Sequence, residues 1–165
     1  MLIQQNVDGS NFFDRSWAEF KVGFGDTSGN YWLGNDLISQ LSLTGNYKLR
    51  FDLQKNGTND WYWAEYTTFT VLDEASNYRL QVAGYSGNTG YDAFGYSNWM
   101  LFTTYDRDND RRSSENCAVR NQGGFWYRNC AYCSVNAARG SGFDDFRWYT
   151  RDLPLQTTRM WLTCQ

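Results

Sequence analysis

The sequence contains no histidine, and this absence excludes several classes of function. Without an imidazole there is no Ser-His-Asp or Cys-His catalytic group, and no zinc or iron site with histidine ligands. No apolar run reaches the roughly 20 residues that a membrane-spanning helix needs. The net charge is −3 and no basic stripe is present, which argues against nucleic acid as a partner.

Proline and cysteine are also scarce, with 1 and 4 residues among 165. An even cysteine count allows three pairings, and Cys130 and Cys133 have the spacing of a redox motif but no thioredoxin-like context. We therefore expect structural disulfides and an oxidising compartment. The first residues, Met1 to Gln5, lack the basic start and apolar core of a signal peptide. An exported protein would then have its leader outside this sequence, or the sequence begins inside a longer protein.

Aromatic residues are abundant, with 8 Trp, 12 Tyr and 11 Phe. Such residues anchor cores and, in surplus, line binding sites for sugars and peptides. Adjacent carboxylates such as Asp144 and Asp145 are candidates for acid–base catalysis, but nothing around them differs from a solvated loop. The composition therefore favours a non-enzymatic binding domain.

Hydrophobic periodicity predicts two short helices at the start of the chain. The first begins at Ser10 or Asn11 and ends near Gly23, and the second is capped by Asn35 and closes at Gly45.

The period then changes to two, which predicts strands at 47–53, 61–71, 78–82 and 158–163. From about Gly84 to Pro154 the chain is rich in Gly, Asn, Asp and Ser without clear periodicity, as in a functional loop region. The predicted fold class is α+β, in one domain over 1–165. Its scaffold would comprise about 1–100 and 158–165, and about 101–157 would form a loop-rich subdomain.

The run 106–110 places three carboxylates on alternate residues, Asp106, Asp108 and Asp110. Calcium takes six to eight oxygen ligands, which such a loop can supply with its backbone carbonyls. An EF-hand would need Gly and Glu where this chain has Arg111 and Cys117, so that motif is excluded. The spacing alone leaves open a calcium site and a solvated acidic turn neutralised by neighbouring arginines.

A series of motifs in this chain closely resembles the fibrinogen-related domain. The motifs occur in the family's order over nearly the whole chain, at 7–10, 11–17, 23–25, 29–36, 47–53, 106–110, 116–118 and 123–130. The resemblance implies a twisted antiparallel sheet with short flanking helices, which supports a loop-rich subdomain for calcium and ligand. The family's N-terminal subdomain is absent before Ile3, which leaves open whether the sheet has lost edge strands.

The resemblance also implies a calcium site. Asp108 and Asp110 would be the side-chain ligands, with backbone carbonyls near Arg112 and Ser114 completing the shell. The stretch from Asp110 to Cys117 is one residue longer than is usual in the family, which puts the identity of the carbonyl donors in question.

For the ligand site, the resemblance implies a Cys117–Cys130 disulfide and a cis peptide at Asn129–Cys130. The backbone N–H groups of Cys130 and Ala131 would then face a carbonyl or acetyl oxygen of a ligand. Ala131 stands where many members have His. The remaining candidates for the pocket are Tyr132, Tyr149, Tyr127, Trp148 and Asn121, and Asn121 stands where acetyl-binding members have an aromatic wall residue.

Core packing is the alternative role for these aromatic side chains. Cys133 and Cys164 depart from the family pattern. They would either form an extra disulfide or link two chains.

The implied function is an extracellular, calcium-stabilised recognition module with lectin-like binding of glycans or acetylated groups, as in innate immunity and pattern recognition. The alternative is a protein- or peptide-binding matrix or receptor-ligand module without sugar specificity. In either case we expect a secreted homo-oligomer that assembles through regions absent from this sequence.

Overall fold

The sheet follows from the period-two pattern of its longest strands. In the strand Tyr47–Lys55, Leu49, Phe51 and Leu53 are fully buried against the core, whereas the alternate residues face the other side of the sheet. The structure is a computed structural model that describes residues 1–141, 145–149 and 153–164.

The described strands pair antiparallel in the order β2-β3-β1-β8-β4-β5-β6, and β7 pairs with the start of β8. The strands are β1 (Leu2–Asn6), β2 (Phe24–Gly25), β3 (Tyr31–Trp32), β4 (Tyr47–Lys55), β5 (Trp61–Val71), β6 (Leu80–Gly87), β7 (Arg147–Trp148) and β8 (Leu153–Cys164). The helices are α1 (Trp17–Val22), α2 (Asn35–Thr44) and α3 (Cys117–Asn121), with 3₁₀ turns at Asn11–Phe13, Glu74–Ser76 and Phe94–Ser97. The α+β class and the antiparallel sheet with short helices are confirmed.

The prediction of one helix from Ser10 or Asn11 is wrong. A 3₁₀ turn occupies Asn11–Phe13, and α1 begins only at Trp17. Ser16 and Glu19 form a capping box, in which the Ser16 hydroxyl accepts from the Glu19 N–H at 3.3 Å and the Glu19 carboxylate accepts from the Ser16 N–H at 2.9 Å. These two bonds satisfy N–H groups that the helix start leaves without partners, so the helix starts there.

Asn35 does not cap α2, contrary to prediction. It is the first residue of the helix and is fully buried, with its side-chain oxygen accepting from Trp32 Nε1 at 3.0 Å. Gly34 takes the cap position with a φ of 111°, a conformation that favours glycine.

The last strand is longer than predicted, because β8 begins at Leu153 instead of Thr158. The region 84–154 also contains α3 and β7, which hydrophobic periodicity did not reveal. The proposed division into scaffold and subdomain stays a prediction.

The core joins the sheet to the loop region through aromatic side chains. Trp126 contacts Trp32, Phe94 and Phe102 with ring centroids 5.0–6.1 Å apart, and Trp148 packs edge-on against Phe51 at 5.0 Å. All six side chains are fully buried. Aromatic pairs in such geometries add packing energy beyond their burial, so the loops lie on a rigid base. Within the described ranges, no helix combines the length and apolarity needed to cross a membrane.

Candidate functional site

The three acidic side chains of the 106–110 run have different surroundings. Asp106 Oδ1 accepts hydrogen bonds from the backbone N–H of Trp17 at 2.9 Å and from the Thr104 hydroxyl at 2.7 Å. The carboxylate therefore binds the first turn of α1, where negative charge also complements the helix dipole. Asp106 fixes the start of the loop to the scaffold.

Asp108 and Asp110 face each other within the loop. Asp108 Oδ1 accepts from the Asp110 N–H at 3.2 Å, and Asp110 accepts from the N–H groups of Arg112 at 2.6 Å and Cys117 at 2.8 Å. Burial raises the pKa of Asp110, and the charge of Asp108 adds to that effect against the lowering by the two backbone bonds. A cation bound between the two carboxylates would stabilise the charged form of Asp110 and so oppose both effects that raise its pKa.

The donor set fits calcium in its chemistry. The structure describes no cluster of three His, Cys, Asp or Glu residues that could hold a metal, so a site here would combine two carboxylates with backbone oxygens. In the described part of the chain, no backbone hydrogen bond is donated to the carbonyls of Arg112 or Ser114. Carboxylates and free carbonyls are the ligands that calcium takes in proteins. Asp108, Asp110, Arg112 and Ser114 therefore remain the candidate ligands.

The acidic loop is joined directly to the segment 128–131. The Cys117–Cys130 disulfide is present, with Cα atoms 5.6 Å apart, and Cys117 is the residue whose N–H binds Asp110. Arg112 Nη1 also donates to Asn129 Oδ1 at 3.0 Å. These links mean that the position of the loop sets the position of the Asn129 side chain.

The peptide between Asn129 and Cys130 is cis, as the resemblance implied. Within the described residues, the backbone N–H groups of Cys130 and Ala131 donate no hydrogen bond, although both residues are nearly buried. Buried backbone donors almost always have a partner in a folded protein, water included. The two N–H groups are therefore available to an acceptor that the described residues do not provide.

Four tyrosines form a cluster beside this segment. Tyr91 stacks on Tyr149 with ring centroids 3.6 Å apart, and Tyr96 stacks on Tyr132 at 4.0 Å. Tyr132 and Tyr149 meet edge-on at 5.8 Å, and the Arg128 guanidinium lies 5.1 Å from the Tyr96 ring centroid. Sequence reasoning named Tyr132 and Tyr149 but missed Tyr91 and Tyr96, since no local spacing connects them to the site.

Three other predicted pocket residues lie in the interior. Tyr127 is fully buried and its hydroxyl donates to the Gly123 carbonyl at 2.6 Å, while Trp148 is fully buried and donates to the Tyr91 carbonyl at 3.2 Å. Asn121 is also fully buried, and neither its amide nitrogen nor its amide oxygen has a hydrogen-bond partner among the described residues. In this structure these side chains support the site from behind instead of forming its surface.

Of the two alternatives for Cys133 and Cys164, the disulfide between them is not formed in this structure, because both thiols are free. A link between two chains stays a prediction. Cys133 is buried beside Trp148, which pairs with Leu153 at the start of β8, whereas Cys164 is the exposed last residue of that strand. The two ends of β8 are eleven residue steps apart, or roughly 35 Å at about 3.3 Å per step. A disulfide needs Cα atoms within about 7 Å.

Asp144 lies outside the described residues. Its neighbour Asp145 accepts from the N–H groups of Gly140 at 2.8 Å and Phe146 at 2.7 Å, so its carboxylate stabilises the local loop.

Comparison with known proteins gives a consistent result. The profile of the family described as "Fibrinogen beta and gamma chains, C-terminal globular domain" matches residues 1–163. Tenascin from Mus musculus is 38% identical over 165 residues, which cover 97% of this chain and 8% of tenascin. Ficolin-3 from Homo sapiens is 38% identical over 136 residues, which cover 82% of this chain and 45% of ficolin-3. The chain thus spans less than half the length of each of these curated relatives.

A solved structure gives the same fold. The fibrinogen-like globe domain of human ANGPTL2 superposes with a TM-score of 0.89 at 35% identity, covering 99% of this chain and 79% of that chain. The overall fold of this chain is therefore shared with that domain. The chain belongs to the family of fibrinogen C-terminal globular domains.

Proposed function

We propose that the chain is a non-enzymatic, extracellular recognition module that holds calcium on its acidic loop and binds a carbonyl or acetyl oxygen of a glycan at the segment 129–132. The observation that carries this proposal is the direct connection between the two parts. The Arg112 side chain binds Asn129, and the Cys117 N–H binds Asp110 while its sulfur is bonded to Cys130. Order in the loop is thereby transmitted to the ligand segment.

Calcium would be held by the carboxylates of Asp108 and Asp110 and by the carbonyls of Arg112 and Ser114. It would supply the positive charge that offsets the repulsion between the two carboxylates, which are close enough for Asp108 to raise the pKa of Asp110. Its further effect would be conformational, because the loop carries Arg112 and Cys117 with it.

Ligand binding would rest on the backbone N–H groups of Cys130 and Ala131. Preorganised backbone donors bind an oxygen without the entropy loss of ordering a side chain. Tyr132 and Tyr149 would present aromatic surface beside them, and Asn129 would be oriented by Arg112. A single site of this kind binds weakly, so useful avidity requires a homo-oligomer built through other segments. Lectin-like pattern recognition in innate immunity fits this arrangement.

The test is isothermal titration of the oxidised protein with calcium, followed by N-acetylglucosamine with calcium present. We expect both ligands to bind the wild type, and neither to bind the Asp108→Ala/Asp110→Ala variant. The control is Asp26→Ala/Asp60→Ala, which removes two exposed carboxylates from distant turns and should leave both titrations unchanged. Sugar binding that is unaffected by loss of calcium would contradict the proposal.

The second candidate function is recognition of a protein or peptide at the same segment. One observation favours it. Ala131 supplies no side-chain donor to a ligand. Tyr132 is covered by Tyr96 on one face and by Tyr149 and Tyr91 at its edges. The aromatic surface is therefore broad instead of forming a deep sugar pocket. Calcium binding without any response to N-acetylglucosamine or N-acetylgalactosamine would support this candidate over the lectin.

A further inference from the structure

A cavity of about 340 Å³ lies beside the acidic loop. It is lined by Arg79, Trp99, Met100, Leu101, Asn109 and Arg111. Its volume lies in the range of small-molecule sites, which are about 300–1,000 Å³. The lining of this cavity includes none of the proposed calcium ligands and no residue of the segment 129–132.

Trp99 is the most unusual residue of this cavity. Its ring is 54% exposed and its φ is 66°, in the left-handed region. That region costs a residue with a side chain roughly 1–2 kcal/mol relative to the right-handed one, a cost that glycine does not have. An exposed indole also adds little to the core. Neither folding nor packing therefore explains a tryptophan here, and contact with a ligand would.

The backbone around Trp99 is fixed. Its N–H donates to the Leu80 carbonyl at 2.9 Å, and the Leu80 N–H donates to the Met100 carbonyl at 2.9 Å. The indole is consequently presented to solvent by a rigid segment that needs little ordering when a ligand binds.

The two arginines are free to bind an anion. Both are exposed, and in the described part of the chain neither guanidinium has an ion pair or hydrogen bond. The Arg111 backbone is nevertheless fixed, because its N–H donates to the Arg128 carbonyl at 2.9 Å. The neighbouring Asn109 is fixed by its side chain, which donates to the Phe102 carbonyl at 2.8 Å. The guanidinium forks are suited to a carboxylate or a sulfate because they bind oxyanions with two parallel hydrogen bonds.

We propose that this cavity is a second binding site, specific for an acidic saccharide. The Trp99 ring would stack on the apolar face of a sugar, Met100 and Leu101 would line the wall, and Arg79 and Arg111 would bind its sulfate or carboxylate. The chain as a whole carries a net charge of −3, so the two free guanidinium groups are a local exception to the overall charge. Binding here does not depend on the acetyl-group site.

The test is titration of the wild-type protein with a heparin hexasaccharide, which carries sulfates, and with a hyaluronan hexasaccharide, which carries only carboxylates. At least one should bind, and the preferred one identifies the anionic group. Arg79→Gln/Arg111→Gln should weaken binding roughly tenfold or more, since it removes charge-assisted hydrogen bonds. Lys48→Gln/Lys55→Gln removes the same charge from β4, away from the cavity, and should change affinity less than about twofold.

Trp99→Gly is the more discriminating variant. It removes the ring and relieves the backbone, so the thermal midpoint should stay equal or rise while saccharide affinity falls roughly tenfold, within the range of aromatic stacking energies. The proposal would be overturned by no binding of either hexasaccharide, or by equal weakening in both double variants, which would indicate non-specific attraction. The proposal would also be overturned if the wild-type protein bound neither saccharide but self-associated, and if Trp99→Gly abolished that self-association. The cavity would then be a contact between copies of this chain.

Discussion

At the scale of single residues, the interaction of Asp110 with Asp108 makes a testable link between charge and stability. The pKa of Asp110 is raised in the folded protein, so the native state holds that proton more tightly than the unfolded chain. Without calcium, the free energy of unfolding is therefore expected to fall as the pH rises from 3.8, the pKa of this carboxyl in the unfolded chain, through its raised pKa in the folded protein.

Asp108→Asn keeps the acceptor for the Asp110 N–H but removes the neighbouring charge. We expect the calcium-free variant to be as stable as the wild type or slightly more stable at pH 7. It should also lose the calcium-dependent gain, which for a site at 100 times its Kd would be about 2.7 kcal/mol. Urea unfolding with calcium and with EDTA measures the free energy of unfolding in both states.

In the wild type, the stabilisation by calcium should shrink as the pH falls through the Asp110 pKa, because protons then compete with the ion. An undiminished gain in Asp108→Asn would mean that calcium binds elsewhere.

Asn121 provides a second prediction at this scale. Its buried amide has no hydrogen-bond partner in the part of the chain that the structure describes, and such a group costs about 1–3 kcal/mol. Asn121→Leu replaces it with an apolar side chain of similar size and should raise the free energy of unfolding by about 1 kcal/mol, measured by urea denaturation. The matched control is Asn136→Leu, also buried, whose amide binds the Gly124 carbonyl at 2.9 Å and Gln4 at 3.0 Å. That substitution should destabilise, and an equal loss in both would contradict the assignment.

At the scale of elements, the short helix α1 depends on its first turn. Ser16 and Glu19 satisfy each other's backbone N–H groups, and Asp106 accepts from the Trp17 N–H at the same end. With only six residues, α1 has little intrinsic stability. Its caps and the packing of Trp17 and Phe20 therefore maintain it, and through Asp106 they maintain the start of the acidic loop.

We expect Ser16→Ala to lower the free energy of unfolding by about 1 kcal/mol, the usual effect of removing an N-cap hydroxyl. Because Asp106 binds the same turn, the variant should also show faster amide exchange at Trp17. Ser28→Ala, in an exposed turn, removes a hydroxyl that caps no helix and should change stability by less than about 0.5 kcal/mol. Equal effects from the two substitutions would show that the capping box does not stabilise α1.

At the scale of the whole molecule, the tertiary structure decides which cysteines can react. The Cys133 thiol is fully buried and burial raises its pKa, whereas Cys164 is exposed at the end of β8. Thiolates are the reactive form, so the two free cysteines should differ strongly. Alkylation of the native oxidised protein with iodoacetamide, followed by peptide mass spectrometry, should modify Cys164 and leave Cys133 unmodified until denaturant is added. If neither cysteine were alkylated and a disulfide between Cys133 and Cys164 were found instead, the result would contradict the fold at this end of the sheet.

The local signals in the sequence determined a large part of this result. The period-two runs located β4 and β5, and the glycines marked the ends of the first two helices, because these signals depend on neighbours in the chain, which the sequence shows directly. The disulfide and the cis peptide were implied by the resemblance of motifs along nearly the whole chain to the fibrinogen-related domain.

The remaining features depended on contacts between distant segments. Only the folded chain places Tyr91 on Tyr149, buries Asn121 away from the surface, separates Cys133 from Cys164 and assigns Asp106 to α1. It also places Arg79, the residue before β6, and Arg111 of the acidic loop in one cavity with Trp99. The sequence by itself determined the longest strands, the ends of the first two helices and the family resemblance. The tertiary structure decided the start of α1, the presence of α3 and β7 and the composition of the sites, because packing and burial arise from long-range contacts that no local pattern encodes.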